Sequence, residues 1–150
     1  MLFGSSGIRR KYDPVLTGYA LSLGSALAVS SSDVAVGTDT RTTGPVLAGA
    51  AIAGLLAGGA RVSFGGIAPS PTVAFAARDH DAGLMVTASH NPEEYNGLKV
   101  FNPDGSSFTP PQQEEMEERM KNFHWKDWPT SGENTWVLSF SPFSSSLTSQ

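Results

Sequence analysis

The chain contains no cysteine. That excludes a disulfide framework, a zinc ribbon and a thiol nucleophile, and it leaves the redox compartment unassigned. Charge is scarce too: Asp, Glu, Lys and Arg make up 16% of the 150 residues, well below the usual quarter. Ten basic residues face fourteen acidic ones, so the net charge is −4 and there is no basic footprint for nucleic acid or an anionic membrane. Long apolar runs are missing as well. The uncharged stretch 14–32 follows Arg9, Arg10 and Lys11 and contains Ala26-Leu27-Ala28, which imitates a signal-peptidase site. Asp13 and Pro14 interrupt that pattern, and Leu16, Tyr19, Ala20, Leu23 and Leu27 recur at spacings of three and four, so an amphipathic helix is expected instead. A second uncharged stretch, 42–60, is diluted by glycine, threonine and Pro45; it reads as a helix buried between layers rather than a membrane span. The chain is read as cytoplasmic, and it contains no internal repeat.

Small residues fill the gap, with 16 glycines and 10 prolines. They punctuate alternating strand and helix signals. Val34-Ala35-Val36-Gly37 is expected as a short buried strand, and Pro45 opens a helix that ends at Gly58-Gly59. Arg61-Val62-Ser63-Phe64 is the next strand, closed by Gly65-Gly66; Ser70-Pro71 then caps and starts a helix to about Arg78. Strands follow at 82–86 and 98–101, the second leading into the turn Asn102-Pro103-Asp104-Gly105. Thr109-Pro110-Pro111-Gln112 is a capping box that begins a charged helix through Lys121. This order predicts an α/β fold, a three-layer α/β/α sandwich around a mixed, mostly parallel sheet. Ligands bind beyond the carboxyl ends of such strands, which singles out the loops 37–41, 65–70 and 87–97. From about His124 the chain turns to tryptophan and then serine without clear periodicity, so 1–123 is read as the domain and 124–150 as a divergent, mobile tail.

The loop Thr87-Ala88-Ser89-His90-Asn91-Pro92 is the densest in chemistry. Adjacent Ser89 and His90 side chains rarely face each other as a nucleophile pair, and no G-x-S-x-G elbow is present, so a serine hydrolase is disfavoured. A phosphorylated serine would need cations and amide donors nearby, which His90, Lys99, Arg9 and Arg41 could supply. Taken alone, the hexapeptide also reads as an ordinary polar turn. Phe3-Gly4-Ser5-Ser6-Gly7-Ile8-Arg9-Arg10 has glycines spaced for close approach to an anion, with Ser5, Ser6 and two guanidinium groups at hand. Lys99 stands inside an apolar strand and points either to the rim or to solvent; desolvation there would favour a general base. Asp39 and Arg41 read as an ion pair shaping the rim, His80 and His124 as surface residues without partners. No cluster has metal-ligand spacing.

Together these motifs resemble the first domain of the alpha-D-phosphohexomutase family, the phosphoglucomutases and phosphomannomutases. The resemblance spans about residues 2–123 through F-G-S-S-G-I-R-R, V-G-T-D-T-R, G-I-A-P-S-P-T, T-A-S-H-N-P and Y-N-G-L-K followed by N-P-D-G, in that order. It implies that Ser89 is the phosphoserine of an isomerase acting by intramolecular phosphoryl transfer on a hexose phosphate, with glucose or mannose phosphate as substrate and a bisphosphate intermediate. It further implies that a magnesium ion bridges the phosphoserine at Ser89, that Lys99 assists proton transfer and that Arg9 lines the site. Ser5, Ser6, His90 and Asn91 fall where phosphate or substrate is contacted.

The family's D-G-D-G-D-R magnesium loop, its E-x-S-G-H sugar loop and its S-G-T-E-P phosphate loop are missing from this sequence. The expectation is therefore a nucleophile-bearing domain that is inactive alone. The alternative is a stand-alone, non-catalytic module that binds phosphosugars or a partner. Either way, self-association through exposed interdomain surface is expected.

Overall fold

The Asp13 carboxylate accepts the Leu16 amide at 3.0 Å and pairs with Arg10 at 2.7 Å, and Pro14 supplies a pre-set first turn; these local features start helix α1 (Pro14–Ala28). The computed structural model describes residues 1–127, 138–140 and 143. Before α1 comes strand β1 (Ile8–Lys11), and after it β2 (Asp33–Thr38), α2 (Gly44–Ala57), β3 (Arg61–Ile67) and α3 (Ser70–Ala76) with a 3-10 turn at Ala77–Asp79. Then follow β4 (Ala82–Val86), β5 (Tyr95–Phe101), α4 (Pro110–Arg119) and β6 (Leu138–Phe140). The capping box at Thr109 and Gln112 forms with both of its hydrogen bonds, as the sequence predicts.

The described strands make one mixed sheet in the order β1-β5-β4-β2-β3-β6. Strands β4, β2, β3 and β6 run parallel; β5 is antiparallel to β4, and β1 antiparallel to β5. The expected three-layer α/β/α sandwich is therefore observed, with unequal layers. One face packs Val34, Val36, Leu84, Val86, Leu98 and Ile8 against residues of α1, α2 and α4; the other packs Ala35, Met85 and Phe101 against α3. The short α3 meets β5 at its Phe101 end, and Arg9 and Lys99 emerge farther along the β1–β5 edge of that face.

Several boundaries differ from the sequence reading. Strand β1 was expected as a glycine–serine loop; it becomes a strand because β5 pairs with it, a partner about 90 residues away that no local pattern reveals. Strand β3 runs through Gly65 and Gly66 to Ile67 instead of stopping at Phe64, with a register irregularity opposite Val36 and Thr38. Helix α3 yields to the 3-10 turn at Ala77. Helix α2 is buried on one side only, since Val46 is 48% exposed. Of the expected tail, the Ser25 hydroxyl donates to the His124 carbonyl at 2.7 Å, β6 pairs with β3, and Phe143 is buried beside Gly65. The remainder of the tail expectation lies outside the described residues.

Glycine also lets helices pack closely on each other. Helices α1 and α2 touch backbone to backbone: a methyl group at Gly24 would stand 2.1 Å from the Ala51 carbonyl oxygen, and one at Gly54 2.1 Å from that of Leu21. Gly54→Ala should accordingly destabilise the fold by about 3 kcal/mol, while Gly49→Ala, where nothing lies within 4 Å on the same helix, should stabilise it by about 0.5–1 kcal/mol. Urea unfolding of the two variants checks the contrast. At the opposite end of the sheet, the hydroxyl and amide of Ser32 donate to Asp81, as does the Asp33 amide, and they hold its carboxyl below the usual value. A depressed carboxyl contributes stability above its unfolded value of about 3.9, and that contribution is lost as pH falls through the folded value. Asp81→Asn should therefore show a flatter loss of stability below about pH 4 than the parent chain in acid titrations of thermal unfolding.

Candidate functional site

Because β2, β3 and β4 are parallel, the loops after them leave the same rim, as the topology argument requires. Two of the three are brought together. Thr87 continues β4, its amide donating to the Gly97 carbonyl at 3.0 Å, and the loop then turns at Ser89. Ser89 has φ of 52°, the only described non-glycine residue in the left-handed region, which costs about 1–3 kcal/mol and persists only where surroundings enforce it. They do so on both sides of the residue. The Ser89 amide donates to Thr87 Oγ1 at 3.0 Å, Thr87 Oγ1 donates to Asp39 Oδ2 at 2.6 Å, and the Ser89 carbonyl accepts Arg41 Nη2 at 2.9 Å. The third loop, 65–70, is tied to β2 through the Ala68 amide and the Thr38 carbonyl at 2.9 Å and makes no hydrogen bond to the Ser89 loop.

Arg41 is buried, and its role is a correction to the expectation that it could serve as a phosphate cation. Its guanidinium donates to the carbonyls of Ser89, Asn91, Pro92 and Tyr95 at 2.7–2.9 Å and to Asp39 Oδ2 at 3.3 Å. The predicted Asp39–Arg41 ion pair is present, but most of the donors go to backbone.

The Ser89 side chain is exposed, and its Oγ accepts Arg9 Nη2 at 2.9 Å. The reach depends on Gly97, which pairs with Arg9 across β1 and β5. A methyl group there would meet the Ile8 carbonyl oxygen at 2.2 Å, the Thr87 carbonyl oxygen at 2.8 Å and Arg9 Cγ at 2.9 Å. Arg9 Nε is buried without a hydrogen-bond partner, as is Arg10 Nε. Asn96 is fully buried; its side chain accepts the Gly97 amide and donates to Thr43 Oγ1, each at 2.9 Å, which fixes the strand at that point.

Lys99, two residues past Gly97 and so on the same face of β5, is half-buried with its ammonium 5.3 Å from the centre of the Phe101 ring. It makes no hydrogen bond to Ser89. A shallow cleft holds Lys99 together with Ser5, Phe3 and Ser107. Ser6 is half-buried and His90 exposed, neither with a side-chain hydrogen bond; Asn91 contributes its backbone to the loop. His80 and His124 do have partners, contrary to expectation: His80 Nδ1 lies 2.7 Å from the Ala76 carbonyl and His124 Nε2 2.9 Å from that of Arg119.

The donor set does not make a magnesium site. Ser89 offers one oxygen with a guanidinium already beside it, the nearby Asp39 carboxylate is engaged by Thr87 and Arg41, and the described residues hold no group of three His, Asp or Glu placed to bind a metal ion. Sequence reasoning missed Thr87, Asn96 and Gly97; a glycine inside a strand pattern is itself a sign of close backbone approach.

The family described as phosphoglucomutase/phosphomannomutase, alpha/beta/alpha domain I, matches residues 1–126. A phosphoglucosamine mutase of Methanococcus vannielii is 48% identical over 127 residues, covering 84% of this chain and 28% of that protein. That of Methanocaldococcus jannaschii is 44% identical over 135 residues, 88% of this chain and 30% of that one. The chain thus spans under a third of the length of these relatives. A crystal structure of a phosphoglucomutase/phosphomannomutase family protein from Burkholderia thailandensis superposes with a TM-score of 0.74 at 26% identity, covering 97% of this chain and 34% of that one.

The loop network yields one test of its own. Asp39→Asn leaves the buried Arg41 guanidinium without its carboxylate and should cost about 2–3 kcal/mol in urea unfolding, since removing one member of a buried pair strands the other.

Proposed function

This chain belongs to the phosphoglucomutase/phosphomannomutase family as its α/β/α domain I, and on that premise we propose that Ser89 carries the phosphoryl group exchanged with a hexose phosphate. The observation supporting this most directly is the Ser89 hydroxyl held at a sheet rim in a left-handed turn with Arg9 Nη2 2.9 Å from its Oγ. Phosphoryl transfer asks chiefly for positioning and for cations around spreading negative charge. Arg9 supplies both through the Nη2 group that meets Oγ.

In this reading a hydroxyl oxygen of the hexose monophosphate attacks phosphorus, the bond from phosphorus to Ser89 Oγ breaks, and the hydroxyl proton is transferred with the help of Lys99. The resulting bisphosphate turns over, Ser89 Oγ attacks its other phosphoryl group, and the proton returns to the sugar oxygen that leaves. No co-reactant is consumed. Ser5, Ser6, His90 and Asn91 are assigned to phosphate and substrate contacts around this point, and residues 1–123 to the nucleophile-bearing domain. The resemblance implies magnesium at the phosphoserine; the remaining ligands would have to come from outside this chain. The phosphoglucosamine mutases among the relatives favour an aminohexose phosphate ahead of glucose or mannose phosphate.

The second reading, a module that binds a partner, is supported by a separate feature. An apolar cavity of about 440 Å³ between α2 and β3 is bordered by Ile67, 70% exposed, and Phe140, 73% exposed. Such a surface suits self-association or a neighbouring domain, and it is compatible with the first reading. No helix among the described residues is long and apolar enough to cross a membrane.

In a complete enzyme built on this domain, Ser89→Ala should lower kcat by on the order of a thousandfold or more, as loss of a covalent carrier does. Turnover retained in that variant would overturn the assignment. The 150-residue chain by itself is expected to show little mutase turnover.

A further inference from the structure

We infer that Arg41 is the positioning residue of the phosphoryl-transfer loop: it sets the direction of the Ser89 hydroxyl through the backbone and never touches the phosphate. The inference rests on the reading that Ser89 is the phosphoryl carrier, and it adds a residue and a means of control to that reading. A guanidinium has five N–H donors in a planar fork. In Arg41 all five are committed: Nε to Asp39 Oδ2, the Nη1 pair to the carbonyls of Pro92 and Tyr95, and the Nη2 pair to those of Ser89 and Asn91. The side chain is 7% exposed. Nothing remains with which to bind a ligand, although the charge sits directly beneath the serine.

What those bonds accomplish follows from which atoms they reach. Four carbonyls, from Ser89 to Tyr95 at the start of β5, converge on one rigid plane, which fixes the loop's curvature as well as its ends. The Ser89 carbonyl is held from one side, and its amide from the other by Thr87 Oγ1, itself oriented by the same Asp39 carboxylate that pairs with Arg41. The left-handed φ of Ser89 is the outcome, and it delivers Oγ to Arg9. Lysine would preserve the charge and lose the function, because three donors on one nitrogen cannot reach carbonyls arrayed around a plane.

The test uses the unphosphorylated 150-residue chain, so its result is independent of whether Ser89 later proves to be the carrier. In the parent chain, nitrogen-15 spectra should resolve separate, slowly rotating Nη protons for Arg41; rapidly averaged signals, as from a solvated arginine, would overturn the proposal without any variant. In Arg41→Lys and Arg41→Ala, the Ser89 carbon shifts should leave the left-handed range, and the amides of Asn91 and Tyr95 should exchange about tenfold faster or more. Core amides of Val36 and Leu84 should keep their parent protection. Guanidinium chloride at tens of millimolar should restore the Ser89 shifts in Arg41→Ala, where sodium chloride does not. Unchanged Ser89 shifts in a folded Arg41→Lys chain would refute the inference, as would a defect spread evenly through the sheet and not rescued. Retained turnover in Ser89→Ala, by contrast, would remove the phosphoryl-carrier reading and leave these loop measurements standing.

Discussion

A buried guanidinium is expensive unless every donor has an acceptor, and an irregular loop is expensive unless its carbonyls have donors. In this chain each problem is the solution to the other. Arg41 lies against the loop that follows β4 and spends its donors on the carbonyls of Ser89, Asn91, Pro92 and Tyr95, with Asp39 balancing the charge. Water cannot replace the guanidinium at a position that is 7% exposed. The loop's own bonds cover little of its backbone: the Glu94 carbonyl accepts the Tyr12 amide and that of Pro92 the Tyr95 amide, while those of Ser89 and Asn91 are met by Arg41. The placement of the serine, and of everything assigned to act on it, depends on this mutual satisfaction.

The sheet supplies the setting in which that loop becomes useful. A purely parallel α/β sheet covers both faces with helices and leaves only the strand ends open. Here β5 and β1 are added antiparallel at one edge, and the thin α3 layer meets β5 at its Phe101 end. The antiparallel register brings Arg9 opposite Gly97, whose missing side chain lets the arginine cross toward the rim. Lys99 leaves the same face one pleat further along. Backbone-level packing of α1 on α2, at Gly24 and Gly54, keeps the other face closed and rigid. The two faces therefore divide the labour: one is core, and the other opens into the site.

How much of this could be read from the sequence follows from how local each cause is. Helices α1 and α4 were legible because Asp13, Pro14, Thr109 and Gln112 act within their own first turns. The rim and the parallel order of β2, β3 and β4 followed from the alternation of strand and helix. Strand β1 was not legible, since its pairing with β5 spans most of the chain and its sequence, rich in glycine and serine on one side and arginine on the other, resembles a loop. The continuation of β3 through Gly65 and Gly66 was hidden for a related reason: glycine ordinarily ends strands, and only the pairing of Ile67 with Thr38 of β2 carries this one on. For the candidate site, the ordered motifs single out Ser89, Arg9 and Lys99, of which the fold joins Ser89 and Arg9 by a hydrogen bond. The backbone role of Arg41 was not, because the carbonyls it serves lie some fifty residues away and a carbonyl leaves no mark on a sequence.

The two arginines at this rim separate roles that a charge count would merge. Both are cationic, both lie within hydrogen-bond reach of Ser89, and both were candidates to meet a phosphate. Their difference is saturation. Arg41 has no free donor, and its charge is largely offset by Asp39, so it contributes geometry and little field. Arg9 gives one donor to Ser89 Oγ, makes no other side-chain hydrogen bond, and has no carboxylate paired with it among the described residues. A group that must stay fixed while charge builds and disperses is best held by the saturated arginine, whose bonds do not change during reaction. A group that must follow that charge needs unspent donors and an uncompensated field. With Ser89 as the proposed phosphoryl carrier, the distribution of spare hydrogen-bonding capacity, rather than proximity to the serine, is what suits Arg41 to positioning and Arg9 to charge stabilisation.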